Sequence, residues 1–531
     1  MKKTHLKDIR HWLLLLVGLF CAFPLWADSY TEDGIVYEVY DNTASVIGVK
    51  DKSITNVNIN SRVAGYDVTS IAPFAFYNCS LLSSINIPNS VTSIGDGAFY
   101  GCSSLAKIDI PNSVISIGDD AFCACKSLSL INIPNSVISI GNSAFCECSS
   151  LTSINLPDSI RSLGTFAFSV CSSLTSISLP DSLRSIGNSA FYLCKSLTSI
   201  ALPDSVKSIG NSAFYECSSL TSIAIPDSVK RIGHDTFSHC SSLVSIALPD
   251  SVMSIGNFAF YECKSLTSIA LPDSIVSIGS YAFFNCSSLT SIELPVTPKS
   301  RMIDIGDYAF SGCGSLKSIT FPPFYAIKLR TGGYAFADID ISIGDYAFTD
   351  CKSLELIKFK GYKVPTIGRE VFRDVNPYAI VVVPQNTKDA YQLALKDYHF
   401  TIYEEGEIKN LLDELIVKAN AEIVEDASLY NRIDAEKRAS YEEQLAIAQQ
   451  VLEESTDDCI TLDAYTKLND AYKQMHQALV EVIAGINHIV VTDNADTLRI
   501  YDLNGCRINA TSTNELPRGI YIINGKKVIK K

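Results

Sequence analysis

One spacing governs this chain. Cys79, Cys102, Cys125, Cys148, Cys171, Cys194, Cys217, Cys240, Cys263 and Cys286 recur every 23 residues. Phe99, Phe122 and Phe145 keep the same step, as do Gly95, Gly118 and Gly141, and Pro88, Pro111 and Pro134. The beat lengthens late in the chain, where Cys313 follows after 27 residues and Cys351 after 38. A unit this short cannot bury its own apolar side chains and must stack on copies of itself. A period in the twenties with Leu and Ile at fixed places therefore specifies a solenoid. At 531 residues the chain is also too long for one ordinary core.

The stretch CKSLTSIALPDSVKSIGNSAFYE, residues 194–216, gives each column a physical task. Leu197, Ile200 and Leu202 are expected to face inward from a short strand, which Pro203 ends because it has no N–H for a ladder. Asp-Ser turns the corner, and VKSIG makes a second short extended piece. Gly210 is read as supplying a backbone angle that other residues resist. SAFYEC is read as a tight helical turn that carries Phe214 and Cys217 into the core. Stacked at the strand spacing of about 4.8 Å, such coils predict an α/β repeat solenoid of 23-residue units with short parallel strands.

The fixed Pro, SIG, AF and Cys columns across residues 69–360 closely resemble the BspA-type leucine-rich repeat of bacterial surface proteins. DGIVYEVYDNTASVIGV (33–49) looks like that family's N-terminal β cap. VPTIGREVFRDVNPYAIVVVPQNTKDAYQLAL (364–395) is similar to its last coil and C-terminal cap, with Val375 standing where Cys would be. The expected layout is a cap over 28–68 and a solenoid with its C-terminal cap over 69–404.

The flanks read differently. The basic MKKTHLKDIRHW, the apolar LLLLVGLF and a small residue at Ala27 describe a cleaved secretory signal over 1–27. No later stretch approaches the length of apolar sequence that a membrane span needs. Residues 405–485 have apolar residues at helical spacing and predict a three-helix bundle that resembles the FIVAR-type modules of surface proteins. Leu411, Leu415, Leu445, Ala448, Leu452, Tyr465, Leu468, Tyr472 and Leu479 are its expected core. Residues 486–531 predict a small β domain. Its YDLNG and GIYIINGKKV closely resemble the C-terminal sorting domain of type IX secretion cargo in Bacteroidetes, with Cys506 where Arg often follows Gly. That resemblance implies delivery to the cell surface or medium.

Five features are candidates for function. The repeat cysteines suit a ladder of buried thiols acting as small hydrophobes better than a disulfide framework, because neighbours in one register point the same way. Cys123 and Cys146 occupy a different column, after AF, and are candidates for one disulfide. Elsewhere that column holds Tyr77, Tyr100, Tyr192, Tyr215 and Tyr261, a stripe fit either for partner contact or for ring stacking between coils. Asp158, Asp181, Asp204, Asp227, Asp250 and Asp273 form a carboxylate column. Calcium is one reading, but Asn89, Asn112 and Asn135 hold the same place, and capping a turn suits both residue types. Arg161, Arg184, Lys207 and Lys230 form a basic column, either offsetting those carboxylates or binding an anion. The strand face, Asn86 through Ala201 to Glu293, is a flat surface of small residues.

A net charge of −14 argues against nucleic acid as the partner. His234 and His239 share one coil but lack the companions of a triad or metal site, and no phosphate loop or nucleophile elbow is present. No enzyme, cofactor or metal is expected. The resemblance to BspA-type proteins implies an adhesin-like surface module for a host extracellular protein, a glycan or a neighbouring cell; a scaffold of the cell envelope without a ligand is the alternative.

Overall fold

The computed structural model describes residues 28–295, 302–323, 325–328, 334–425, 430–431, 433–454, 458–484, 500–501, 519–523 and 526–530. The expected signal peptide, and the Asn504–Gly505 turn of the tail, lie outside the described residues. The chain divides into two compact units: residues up to Ala379 with Asp397–His399, and Ile380–Lys396 with Phe400 onward.

The first unit is a parallel β-solenoid. It opens with an antiparallel meander of β1 (Asp28–Glu32), β2 (Ile35–Tyr40) and β3 (Thr43–Val49). Alternation on β2 and β3 buries Ile35, Tyr37, Ala44 and Val46. The outer edge of β3 pairs parallel with strand Tyr66–Ile71, so the meander closes the end of the core and starts the ladder.

Every coil then has three sides. The first is a short strand, reduced to a single bridge at Ser199 and of three residues in most coils, as where Ser153–Asn155 pairs with Ser176–Ser178 and Ile154 lies beside Ile177. Leu197 and Ile200 are buried as expected, whereas Leu202 is only half-buried. A turn follows, closed by Val206 N–H donating to the Pro203 carbonyl at 3.0 Å. The second side is a strand of two residues, Ser208–Ile209 on Ser185–Ile186. Where the sequence beat lengthens the register survives: Ser277–Ile278 still pairs with Asp304–Ile305, and Met302–Ile305 with Asp340–Ile343. The longest insertion forms its own hairpin, Tyr325–Lys328 on Tyr334–Ala337.

The third side departs from the expected helical turn. Alternate N–H groups reach forward to the next coil: Ser212 to the His234 carbonyl at 2.8 Å, Phe214 to Thr236 at 2.9 Å and Glu216 to Ser238 at 2.8 Å. Those between close turns, Tyr215 on Ser212 and Cys217 on Phe214, both at 3.1 Å. Ser212 and Glu216 accordingly sit in the left-handed region, at φ 54° and 55°. Gly210 does not; a Cβ there would stand 2.5 Å from the backbone nitrogen of Asn188 in the preceding coil. Its job is close approach of two backbones, and the unusual angles fall instead on residues with side chains.

The core is two ladders. Phe rings from Phe76 to Phe372 stack coil on coil at centroid separations of 5.1 to 5.7 Å. Beside them the repeat cysteines, from Cys79 to Cys351, are fully buried. They do more than fill space: Cys102 Sγ donates to the Phe76 carbonyl at 3.2 Å, and Cys217 Sγ to Phe191 at 3.2 Å, so from Cys102 onward each thiol gives a second donor to a carbonyl of the coil before. Burial pushes the thiols up, Cys102 and Cys240 to about 12.

In the second unit, strands Ile380–Val383 and Thr401–Glu404 pair in parallel around α1 (Lys388–Ala394). Three longer helices follow, α2 (Glu407–Glu425), α3 (Ala435–Glu454) and α4 (Asp458–Ala484), making four among the described residues. Leu412, Leu415, Leu445, Ala448 and Leu468 belong to one buried cluster, with Leu452, Tyr465 and Tyr472 packed against it. Leu412 takes the core place expected of Leu411, which is half-buried; the Leu479 side chain is not among those described. Ile500–Tyr501, Gly519–Ile523 and Lys526–Lys530 form an antiparallel sheet. No helix among the described residues is long and apolar enough to cross a membrane.

Candidate functional site

The column after AF is set by the closing turn of the third side, which leaves its Tyr side chains half-buried between coils and buries its smaller ones, such as Ser238. Tyr77 and Tyr100 stack at 5.2 Å, and Tyr192 and Tyr215 at 4.8 Å with planes 12° apart. The next coil carries Ser238 there, and the imidazole of His239 fills the gap. It stands edge-on to Tyr215 at 5.4 Å and to Tyr261 at 5.3 Å, with Nδ1 3.5 Å from the Glu262 carboxylate. Tyr261 then stacks on Phe284 at 5.1 Å. Ring faces are thus turned on one another, so edges and hydroxyls are what the column offers outward.

Cys123 and Cys146, the candidates for one disulfide, lie at the same place in adjacent coils. Both thiols are free. In-register stacking aims both side chains the same way, whereas a disulfide needs Cβ atoms about 3.8 Å apart. Nor is the place as open as expected, since Cys123 is buried. The neighbouring thiol, together with burial, raises Cys123, and Cys123 in turn lowers Cys146.

A second aromatic column escaped the sequence reading. Phe258, Tyr281, Tyr308 and Tyr346 stack at 4.9, 4.8 and 4.8 Å. Each holds a left-handed φ, between 55° and 59°, where bulky residues are rare; earlier coils put Phe74 and Phe166 there as well, and Gly97, Asp120, Ser143, Ser189, Ser212 or Asp235 in the rest. The two columns run side by side, with Phe258 against Tyr261 at 5.7 Å and Tyr281 against Phe284 at 5.6 Å, tilted by 55°. Arg373 covers the last face, its guanidinium 5.1 Å from the Tyr346 ring centre. The signal was legible as the run NFAFYEC, SYAFFNC, DYAFSGC and DYAFTDC.

The polar columns sort into stitches and free charges. Turn stitching falls to the Ser after each Asp: Ser205 Oγ donates to the Leu183 carbonyl at 2.5 Å, and Ser251 Oγ to Val229 at 2.6 Å. A different column, the residue after the repeat Gly and two before the Ala of AF, links coils through side-chain acceptors: Asn188 Oδ1 takes the Asn211 N–H at 2.8 Å and Asp307 Oδ1 that of Asp345 at 2.8 Å. His234 joins this ladder, its Nδ1 accepting from Asn257 N–H at 3.0 Å. Both histidines of that coil thus have structural employment. Arg161, Arg184, Lys207 and Lys230 are exposed in consecutive coils, as are Asp158, Asp181, Asp204 and Asp227 beside them. The two rows form no ion pair with each other or with any other described residue, so the cations do not offset the carboxylates by contact. Among the described residues no three His, Cys, Asp or Glu side chains converge on a metal position.

Comparison with known proteins places these columns in context. The BspA type leucine rich repeat region matches residues 47–138, 115–241, 207–340 and 334–403. No curated protein matches the chain significantly. Solved structures do: a leucine-rich repeat protein from Bacteroides ovatus is 28% identical, with 71% of this chain and 99% of that one covered and a TM-score of 0.47. A leucine rich cell surface protein from Faecalibacterium prausnitzii is also 28% identical, covering 63% and 95%, with a TM-score of 0.43. The pneumococcal vaccine antigen PcpA is 19% identical, covering 71% and 98%, at 0.39.

Proposed function

We propose, from the premise that this chain belongs to the family of BspA type leucine rich repeat proteins, that it is an adhesin-like binding module of a bacterial cell surface. It works without catalysis, and its partner is an extracellular protein of a host or a neighbouring cell. The observation that carries this reading is the pair of aromatic columns. Phe258, Tyr281, Tyr308 and Tyr346, like Phe74 and Phe166 earlier in the same column, occupy left-handed positions that Ser or Asp fills with less strain in other coils. Rigid Tyr side chains offer large contact area at little entropic cost, as in antibody paratopes. Because their faces are stacked on one another, a protein partner suits the exposed edges and hydroxyls better than a sugar that needs an open ring face.

The remaining parts serve display. Residues 1–27 act as the export signal, the helices of 405–485 form a bundle that spaces the solenoid from its anchor, and residues 486–531 act as a sorting tail of the type IX kind. The test is binding of the full mature chain to immobilised matrix proteins. Tyr281→Ser with Tyr308→Ser should cut the affinity of any saturable interaction at least tenfold, and the fold should persist because Ser189 and Ser212 hold the same column. Unchanged affinity would move the site to another face. No saturable binding to any surface would favour the second reading, a scaffold of the envelope.

A further inference from the structure

We propose that Arg161, Arg184, Lys207 and Lys230 form a docking rail for a linear polyanionic polysaccharide carrying a sulfate or carboxylate on each sugar residue. This reading does not rest on the aromatic columns.

Several cations of the solenoid have carboxylate partners: Lys195 on Glu216 at 2.7 Å, Lys126 on Glu147 at 3.9 Å, Lys264 on Glu262 at 3.3 Å and Arg369 on Asp345 at 2.9 Å. Others, such as Arg231 and Lys317, form no ion pair among the described residues, and the row is where such cations recur in one column over four consecutive coils. The four of the row have none, although Asp158, Asp181, Asp204 and Asp227 run beside them. Backbone bonds lock the first three coil to coil, Arg184 N–H to the Arg161 carbonyl at 2.7 Å and Lys207 N–H to Arg184 at 2.8 Å, while Lys230 precedes the first strand of the next sheet, Arg231–Ile232. Like charges therefore stand in file at about the 4.8 Å strand spacing, an arrangement that repels itself. A chain of anions laid along the file relieves that repulsion at every coil, and guanidinium groups grip sulfate or carboxylate by paired hydrogen bonds.

The row's surroundings select the class of polyanion. Short Asp side chains end near the frame, whereas Arg and Lys stems carry their charge beyond it, so a thin polymer meets the cations first. A broad duplex would lie over both rows and meet the carboxylates as well, on a molecule of net charge −14. An extended acidic peptide presents same-side groups only every ~6.6 Å, from two residues of strand rise, and falls out of step with the file. The file is also bounded: Ile138 before it is 61% exposed and Met253 after it 48% exposed, apolar ends against which the unsulfated faces of sugar rings can rest.

The experiment measures binding of the full mature chain to dextran sulfate, uncharged dextran, polyglutamate and duplex DNA at 50 and 200 mM salt. Dextran sulfate should bind tightest. If all four cations release counterions, its affinity should fall about fiftyfold between the two salts, from roughly 0.7 per cation in the log–log slope of a single-stranded polyelectrolyte. Arg184→Ser with Lys207→Ser should halve that slope, while Lys126→Ser with Lys264→Ser, an equal change of net charge at paired cations, should leave it unchanged. Equal loss in both variants, or polyglutamate or DNA binding as tightly as dextran sulfate, would overturn the proposal. So would affinity independent of salt. Tyr281→Ser with Tyr308→Ser should retain dextran sulfate binding, which keeps failure of this rail distinguishable from failure of the aromatic reading.

Discussion

At the scale of single residues the solenoid separates two reasons for a small side chain that a sequence merges. A recurrent Gly is selected by a left-handed angle or by a close neighbour, and Gly210 was read for the angle. The neighbour is the cause, because only the stacked coil brings Asn188 to 2.5 Å, and no pattern along one coil reveals what the coil beneath contributes. The distinction has consequences. Gly210→Ala should cost about 1–3 kcal/mol, the usual range for overpacking, since bonded backbones on both sides cannot retreat. Ser212→Gly should lie within about 0.5 kcal/mol of the parent, relief of a left-handed side chain being set against the greater chain entropy of Gly. Denaturant midpoints at constant m-value decide the matter; a neutral Gly210→Ala would refute the close-approach account.

At the scale of the element, each column behaves as a unit, and here the sequence was most and least informative. The Phe and Cys columns, the coil period and the sites of both insertions were legible, because stacking makes every copy repeat the same constraint. The cysteine column was under-read: its spacing reveals burial but not that each thiol from Cys102 onward donates to a carbonyl of the preceding coil. That ladder predicts an alkaline weakness. Cys102 and Cys240 are raised from 9 to about 12 by burial, and the other core thiols are raised as well. A thiol that keeps its proton only when folded contributes fully below the unfolded pKa near 9, and that contribution is lost as pH climbs to the folded value. Each such thiol should cost about 1.4 kcal/mol of stability per pH unit in that window. The thermal midpoint of the reduced protein should therefore fall steeply between pH 9 and 11. Cys102→Ala with Cys240→Ala should flatten the fall even as it lowers the midpoint at pH 7. An equal slope in the variant would show that other groups carry the alkaline transition. The aromatic surface was the element least legible as a site, since Tyr281 and Tyr308 need a second column beside them before they amount to a face, and adjacency between columns exists only in the folded coil.

At the scale of the whole solenoid, contacts run almost wholly between neighbouring coils, so its stability should follow the additive logic of a one-dimensional array. The sharpest consequence concerns length. Removing Lys195–Cys217 joins Cys194 to Ser218 and deletes one repeat of 23 residues. Every column then meets its own kind: Ser185–Ile186 can pair with Arg231–Ile232, Gly187 lies under Gly233, and Cys240 can donate to the Phe191 carbonyl. One interface is lost from the stack and nothing else is misaligned, so the shortened protein should unfold cooperatively, with an m-value reduced in proportion to the surface removed. Removing three residues fewer or three more, from the same start, should behave very differently. It sets a residue with a Cβ where Gly187 or Gly233 needs bare backbone, takes a Phe out of the ladder and leaves its carbonyl without a thiol donor. Those variants should lose cooperative melting by circular dichroism or expose enough apolar surface to aggregate. The longer repeats that end at Cys313 and Cys351 keep the strand register, and the second carries a hairpin, so added length is tolerated where it leaves the stacked strands undisturbed. The prediction therefore tests register itself, and cooperative unfolding of both off-register variants would mean that coils hold together by apolar burial alone, without the one-to-one matching of columns on which the surface rows depend.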